Sequence, residues 1–293
     1  MNICFLWWWD KAEDTWDSYR DGLRAAVEVI GKTHDIDVHL GEKIPDEDYE
    51  AYLIWGDSNC PAIELLKDRP GKKGIILTTD PHNIENLRKL DVVFCESTPV
   101  YEAVRRAGIR AVRAFGTDTN FFTPTCSHYS ERLIKGGCSI CGCSRESHKK
   151  DIPYFYPATF SPWKRQRDIA YMGKDLYCVG TVQPDGIEDL EACKEKGVNI
   201  AEGYFKVEYI RDLYRRSECV VIPAIHGSER TVLEAMACNI LPEVTNDKNV
   251  RTKSYIKEYE EERKTNPKLT PREFVVVNYN PEQYAQKILR GYE

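Results

Sequence analysis

The chain predicts an α/β fold of two Rossmann-like domains, each a parallel sheet covered by helices on both faces. Three observations carry this expectation. Short apolar runs alternate with amphipathic helical patterns in both halves, the signature of strand–helix–strand units. A Cys- and His-rich stretch interrupts that alternation near the middle. The 293 residues, 42% hydrophobic and 30% charged, suit two packed domains rather than a disordered chain.

The elements follow in order. Ile3 to Trp9 is an apolar run with no basic residue before it. It is too short for a membrane span of ~20 residues and lacks the start of a signal peptide, so it reads as a first buried strand. Trp16, Tyr19, Leu23, Ala26, Val27 and Ile30 recur at spacings of three and four, which predicts a helix over 15–30. Strands are expected at 36–40, 51–55, 74–78 and 92–95, and helices at 60–67, 83–89 and 99–107, the last closed by Gly108. Residues 125–150 lose all apolar periodicity. Beyond them, strands are expected at 169–172, 176–179, 199–201, 219–223 and 274–277. The matching helices are expected at 187–195, 207–216, 230–238, 253–263 and 281–290. The division is then 1–124 as one Rossmann-like domain, 125–160 as a Cys/His-rich insertion and linker, 161–280 as the second domain, and 281–293 as a terminal helix.

The net charge of -6 argues against a protein that holds nucleic acid by bulk electrostatics, though not against one local basic patch. Seven of the 11 cysteines are scattered, most of them in apolar strand or helix patterns. Free thiols in such places act as small buried hydrophobes, which points to a reducing compartment and a cytoplasmic location. The remaining four lie in the aperiodic stretch. Cys126, His128, Cys138, Cys141, Cys143 and His148 surround a Cys-x-x-Cys turn. Zinc takes four nitrogen or sulfur ligands in a tetrahedron, so a structural Zn2+ is expected here, with Cys126, Cys138, Cys141, Cys143 and His148 as ligand candidates. The competing reading is a redox-active or merely exposed loop. Lys135, Arg145, Lys149, Lys150, Lys164, Arg165 and Arg167 make this the most basic part of the chain.

Ligands of parallel sheets bind at the carboxyl ends of the strands. In the first half those ends carry Trp7-Trp8-Trp9-Asp10-Lys11, Trp55-Gly56-Asp57-Ser58 and Thr79-Asp80-Pro81-His82. Asp10, Asp57 and His82 are the catalytic candidates there, and one of the tryptophans with Asp10 could stack on and orient an acceptor. In the second half, His226-Gly227-Ser228-Glu229-Arg230 lies between a strand end and a helix start. A helix N-terminus offers free N–H donors and a positive dipole end, which suits a diphosphate.

The segment 203–247 resembles the C-terminal domain of GT-B glycosyltransferases of the large retaining family that includes sucrose and mannosyl transferases. Thr231-Val232-Leu233-Glu234-Ala235-Met236-Ala237-Cys238 carries the likeness most closely. Independently, Phe115-Gly116-Thr117-Asp118-Thr119-Asn120-Phe121-Phe122-Thr123-Pro124 is similar to the end of that family's N-terminal domain. The resemblance implies two Rossmann-like domains facing across a cleft, a nucleotide-sugar donor held by the second and an acceptor by the first. It implies Glu234 on the ribose, and His226, Glu229, Arg230 and Thr231 around the diphosphate and sugar. His82 stands where the family has a histidine after a mid-domain strand. Two departures matter. The family pairs two glutamates with seven residues between them, and counting back from Glu234 that first place holds His226. The family's Gly-Arg-x-x-x-x-Lys-Gly run is not found in full; Gly173-Lys174 is its best remnant, and Lys174 is expected to supply the cation.

The leading expectation is therefore a glycosyltransferase that uses a nucleotide sugar, with an acceptor that is a polymer such as modified DNA. The basic Cys/His stretch motivates the polymer, and a purely structural clasp between the domains is its competitor. The alternative function is a catalytically degenerate GT-B fold acting as a zinc-containing module that binds nucleic acid or protein. A nucleotide-sugar epimerase or a phosphorylase on the same double-domain fold is a third possibility.

Overall fold

The computed structural model describes residues 1–8, 16, 22–77, 79–124, 149–246 and 250–293, and the backbone of 133–134 and 137–138. The chain divides into two compact units, Met1–Asp118 with Tyr279–Glu293, and Thr119–Asn278.

The first unit holds six strands: β1 (Asn2–Trp7), β2 (Asp35–Leu40), β3 (Ala51–Gly56), β4 (Lys72–Leu77), β5 (Val92–Cys95) and β6 (Ala111–Arg113). All pair in parallel, in the order β2-β1-β3-β4-β5-β6. Helices α1 (Gly22–Ile30), α2 (Pro61–Leu66), α3 (Ile84–Leu87) and α4 (Thr98–Arg106) join them. Strands β1, β3 and β5 are apolar almost throughout because helices cover both of their faces. Cys4, Leu6, Tyr52, Ile54, Ile75, Val93 and Cys95 meet Ile63, Leu66, Leu87 and Val104 in one core. Trp7 is buried rather than presented: it stacks on Trp55 with ring centroids 4.7 Å apart and meets Trp16 edge-on at 4.9 Å. Trp8 is half-buried. The last helix, named α10 below, closes this unit. Tyr292 near its end buries its ring against Phe94 and donates its hydroxyl to the Tyr52 carbonyl at 2.8 Å. Gly74 makes room for it, since a Cβ there would lie 2.7 Å from the Tyr292 hydroxyl.

The second unit has the parallel order β11-β10-β9-β12-β13, from β9 (Ile152–Pro157), β10 (Leu176–Gly180), β11 (Asn199–Glu202), β12 (Ser217–Ile222) and β13 (Glu243–Val244). Helices α5 (Ile187–Glu195), α6 (Val207–Arg216), α7 (Glu229–Ala237), α8 (Lys253–Thr265) and α9 (Pro271–Asn278) follow, and α10 (Pro281–Tyr292) returns to the first unit. Strands β7 (Leu133–Ile134) and β8 (Gly137–Cys138) form a separate antiparallel pair. Two arginines, Arg215 buried and Arg272 half-buried, hold the segment that opens this unit. Arg215 donates to the Thr123 carbonyl at 2.8 Å and hydroxyl at 2.6 Å, and pairs with Asp212 at 3.2 Å. Arg272 donates to the carbonyls of Phe122, Ala237 and Thr119.

Three expectations are corrected. Residues 169–172 lie in 3-10 turns over Gln166–Asp175, broken at Gly173 (φ 58, ψ -134), and not in a strand. Residues 274–277 belong to helix α9: Thr270 and Glu273 form a capping box and Pro271 sits in the first turn. Strand β9, the centre of the second sheet, lies in the stretch read as linker.

Among the described residues no helix is long and apolar enough to cross a membrane. The seven described cysteines are free, all buried except the half-buried Cys219.

Candidate functional site

In each sheet the strand order reverses at one place, and open parallel sheets bind ligands outside the carboxyl ends of the strands at that place. In the second unit the reversal falls between β9 and β12. The two loops leaving these strands are tied together by one lysine. Lys164 Nζ donates to the Gly227 carbonyl and lies 3.2 Å from Ser228 Oγ. Beneath them, the buried Tyr156 hydroxyl donates to the Lys164 carbonyl at 3.2 Å and lies 3.2 Å from Ser228 Oγ. Gly227 has φ +69, a conformation that favours glycine. Burial pushes the Lys164 amine down to about 8, against the opposing charge of the buried Glu229. A lysine tuned this way is charged at neutral pH and poorly hydrated, which strengthens its attraction for an anion.

Ser228 is the N-cap of α7 and makes no side-chain capping bond. One turn into the helix, the buried Glu234 accepts a hydrogen bond from the Tyr214 hydroxyl at 2.9 Å. Arg230, on the exposed side, lies 3.5 Å from the other Glu234 oxygen. The Tyr214 phenol is raised well above its ordinary range, first by burial and then by the Glu234 charge. The carboxylate is thus oriented and held near the start of the same helix. The neighbouring loop is equally fixed. Gln166 Nε2 donates to the Thr159 carbonyl at 2.8 Å, and the Thr159 and Thr181 hydroxyls lie 3.0 Å apart. Gly180 is required, since a Cβ there would lie 2.3 Å from the Ala158 carbonyl oxygen.

In the first unit the reversal falls between β1 and β3. The loops after β3 and β4 carry Asp57 and His82, both exposed. Asp57 accepts the Asn59 N–H at 2.7 Å, and the His82 N–H bonds the Asp80 carbonyl at 2.8 Å. The fully buried Ser58 links the two loops by accepting the Asn83 N–H at 3.0 Å.

Of the residues singled out in sequence, the structure gathers Glu229, Arg230, Thr231 and Glu234 on one helix, with His226 half-buried in the loop that leads into it. It does not bring Lys174 to them. Lys174 is exposed and precedes β10, whereas the cluster follows the carboxyl ends of β9 and β12. Besides Arg230, the cation at the cluster is Lys164, which the sequence reading grouped only with the basic stretch. Tyr156 and Tyr214 were missed as well. Asp10, Cys126, His128, Cys141, Cys143 and His148 lie outside the described residues, and of Cys138 only the backbone is described. Among the described residues no group of three or more His, Cys, Asp or Glu side chains could hold a metal ion.

No protein-family model and no curated protein matches the chain. Solved structures do. The chain is similar to AviGT4, a glycosyltransferase involved in avilamycin A biosynthesis, at 12% identity and TM-score 0.60, over 100% of this chain and 97% of that one. It is similar to an alpha-glucosyltransferase solved with UDP and a 13-mer DNA containing an HMU base, at 11% identity and TM-score 0.57, over 100% and 99% of the two chains. It is also similar to the alpha,alpha-trehalose 6-phosphate synthase of Burkholderia multivorans, at 9% identity and TM-score 0.62, over 99% and 98%. Likeness at this identity establishes the architecture alone, and that architecture is the GT-B fold.

Proposed function

We propose that this protein is a glycosyltransferase that takes its sugar from a nucleotide sugar bound at the β9/β12 edge of the second unit. The observation that carries the reading is the junction of Lys164 with Gly227 and Ser228 at the start of α7, one turn before the buried Glu234. A diphosphate fits the N–H groups and positive dipole end of that helix start together with Lys164 and Arg230, and ribose hydroxyls fit the Glu234 carboxylate. His226 and Thr231 then line the sugar side. Leaving-group charge grows in the transition state, so Lys164 and Arg230 serve turnover more than ground-state binding. Lys164 takes the role that the sequence reading gave to Lys174.

The acceptor enters at the β1/β3 edge of the first unit, where Asp57, His82 and Asp10 are the candidates for orienting and activating its hydroxyl. A DNA acceptor is the finer reading. It is supported by the basic Cys/His stretch and by the UDP and HMU-containing DNA of one structural neighbour. A structural zinc on Cys126, Cys138, Cys141, Cys143 or His148 belongs to the same reading, and metal analysis of protein purified without added metal should give a ratio near one per chain. The free thiols support a reducing, cytoplasmic setting.

A screen of UDP, GDP, ADP and their sugars tests the proposal. A true donor at ~100 times its dissociation constant stabilises the protein by about 2.7 kcal/mol and is slowly hydrolysed. Stabilisation by nucleotides without hydrolysis of any sugar would replace the enzyme by a binding module. DNA affinity that is absent even at low salt, or that does not fall as salt rises, would remove DNA as acceptor.

A further inference from the structure

The two loops that carry Asp57 and His82 come from different strands, yet the structure joins them as one body. Ser58 is fully buried, and its hydroxyl accepts the Asn83 N–H at 3.0 Å. The Ser58 carbonyl accepts from Asn86 Nδ2 at 3.2 Å. Asn83 Nδ2 donates to Asn59 Oδ1 at 3.1 Å, while Asn83 Oδ1 caps α3 by accepting the Asn86 N–H at 3.1 Å. Asn59 in turn holds one oxygen of Asp57 at 2.7 Å. Three bonds therefore cross between the loops, and a fourth passes the constraint on to a candidate catalytic carboxylate. Loops are ordinarily the mobile part of a scaffold, and a functional group on a loop needs such support to hold its geometry.

We propose that Ser58 and Asn83 are positioning residues that make the β3 and β4 loops a single acceptor-recognition wall, with Asp57 and His82 fixed relative to one another. The inference rests on the acceptor reading given above. Neither Ser58 nor Asn83 touches substrate; they act through Asp57 and His82. Misplacement of a reacting group by about 1 Å costs up to about a hundredfold in rate, so the effect belongs in acceptor use and not in donor binding.

The test uses the full chain, with Ser58→Ala and Asn83→Asp. The first leaves the Asn83 N–H unpaired; the second keeps the α3 cap but removes the donor to Asn59. Donor hydrolysis to water is measured beside transfer to two probes, a duplex 13-mer containing an HMU base and maltose. The expected result is an acceptor KM raised at least fivefold in both variants, with donor hydrolysis within twofold of the parent. An unchanged acceptor KM overturns the proposal, as do acceptor use and donor hydrolysis that fall together in step with Tm. Donor hydrolysis by the parent without transfer to either probe overturns it while leaving the donor reading intact. Absence of donor hydrolysis in the parent overturns both.

Discussion

The two sheets end in loops that are fixed by opposite means. At the β9/β12 edge the ties are ionisable groups: Lys164 bonds across the loops, Glu229 lies buried beside it, and Glu234 is gripped by Tyr214 and Arg230. At the β1/β3 edge the ties are amides and a hydroxyl from Ser58, Asn59, Asn83 and Asn86, while the charged groups Asp57 and His82 stand in solvent. The difference is instructive because a buried charge is tolerated only where it is paired or used. An edge built from buried charges suits a ligand of fixed charge, such as the diphosphate proposed above. An edge built from neutral bonds fixes shape and leaves the exposed groups open to a ligand.

The sharpest way to break this comparison is at Lys164. Lys164→Met should lower donor turnover about a hundredfold, equivalent to ~2.7 kcal/mol of transition-state stabilisation, while Lys174→Met stays within twofold of the parent. Steady-state hydrolysis of the best donor measures both, and equal losses in the two variants would dissolve the distinction between the ends of the sheet. Next in size is Glu234→Ala, which should raise the nucleotide dissociation constant at least tenfold, or ~1.4 kcal/mol. Calorimetry showing unchanged affinity removes Glu234 from the site.

The pH dependence is smaller and carries a sign. Lys164, pushed down to about 8 by burial, loses its charge as pH rises through that value. UDP affinity should therefore fall between pH 7 and 9, by about tenfold at most, and the Lys164→Met variant should lose that slope. The free protein behaves oppositely. A lysine whose folded value lies below its unfolded one binds fewer protons when folded, so its contribution to stability grows as pH climbs from about 8 into the ordinary lysine range. Chemical denaturation at pH 8 and 10 tests that sign. A UDP affinity that rises with pH would show that Lys164 does not meet the phosphate. The mildest change is the fivefold KM effect expected of Ser58→Ala and Asn83→Asp.

Much of the fold was legible in the sequence because its strands and helices announce themselves by period. The run 92–95 and the helices over 187–195 and 207–216 fall where the pattern puts them. Strand β9 was hidden by its own composition. Pro153 and Pro157 lie within it, second and last, and proline argues against a central strand because it cannot donate to a ladder. The structure resolves the conflict by register: pairing with β10 begins at Tyr154, past Pro153, and Pro157 closes the strand. Missing β9 also moved the candidate cation. Lys164 follows its carboxyl end by one short loop, and with that strand unread the only visible remnant was Gly173-Lys174, at the start of the next strand. Helix α9 was misread for another reason. Four apolar residues fit either period, and the deciding signal was the Thr270–Glu273 capping box just before them. The cluster around Glu234 could be named from its motif. The partners Tyr214 and Tyr156 could not, since they come from α6 and β9 and meet it only in the folded unit.

The most direct test of the central claim is a crystal structure of the full chain with UDP. The account predicts the diphosphate at the start of α7, against Lys164 and Arg230, with the ribose hydroxyls on Glu234. UDP bound at any other strand end, or no bound nucleotide at saturating concentration, would contradict it.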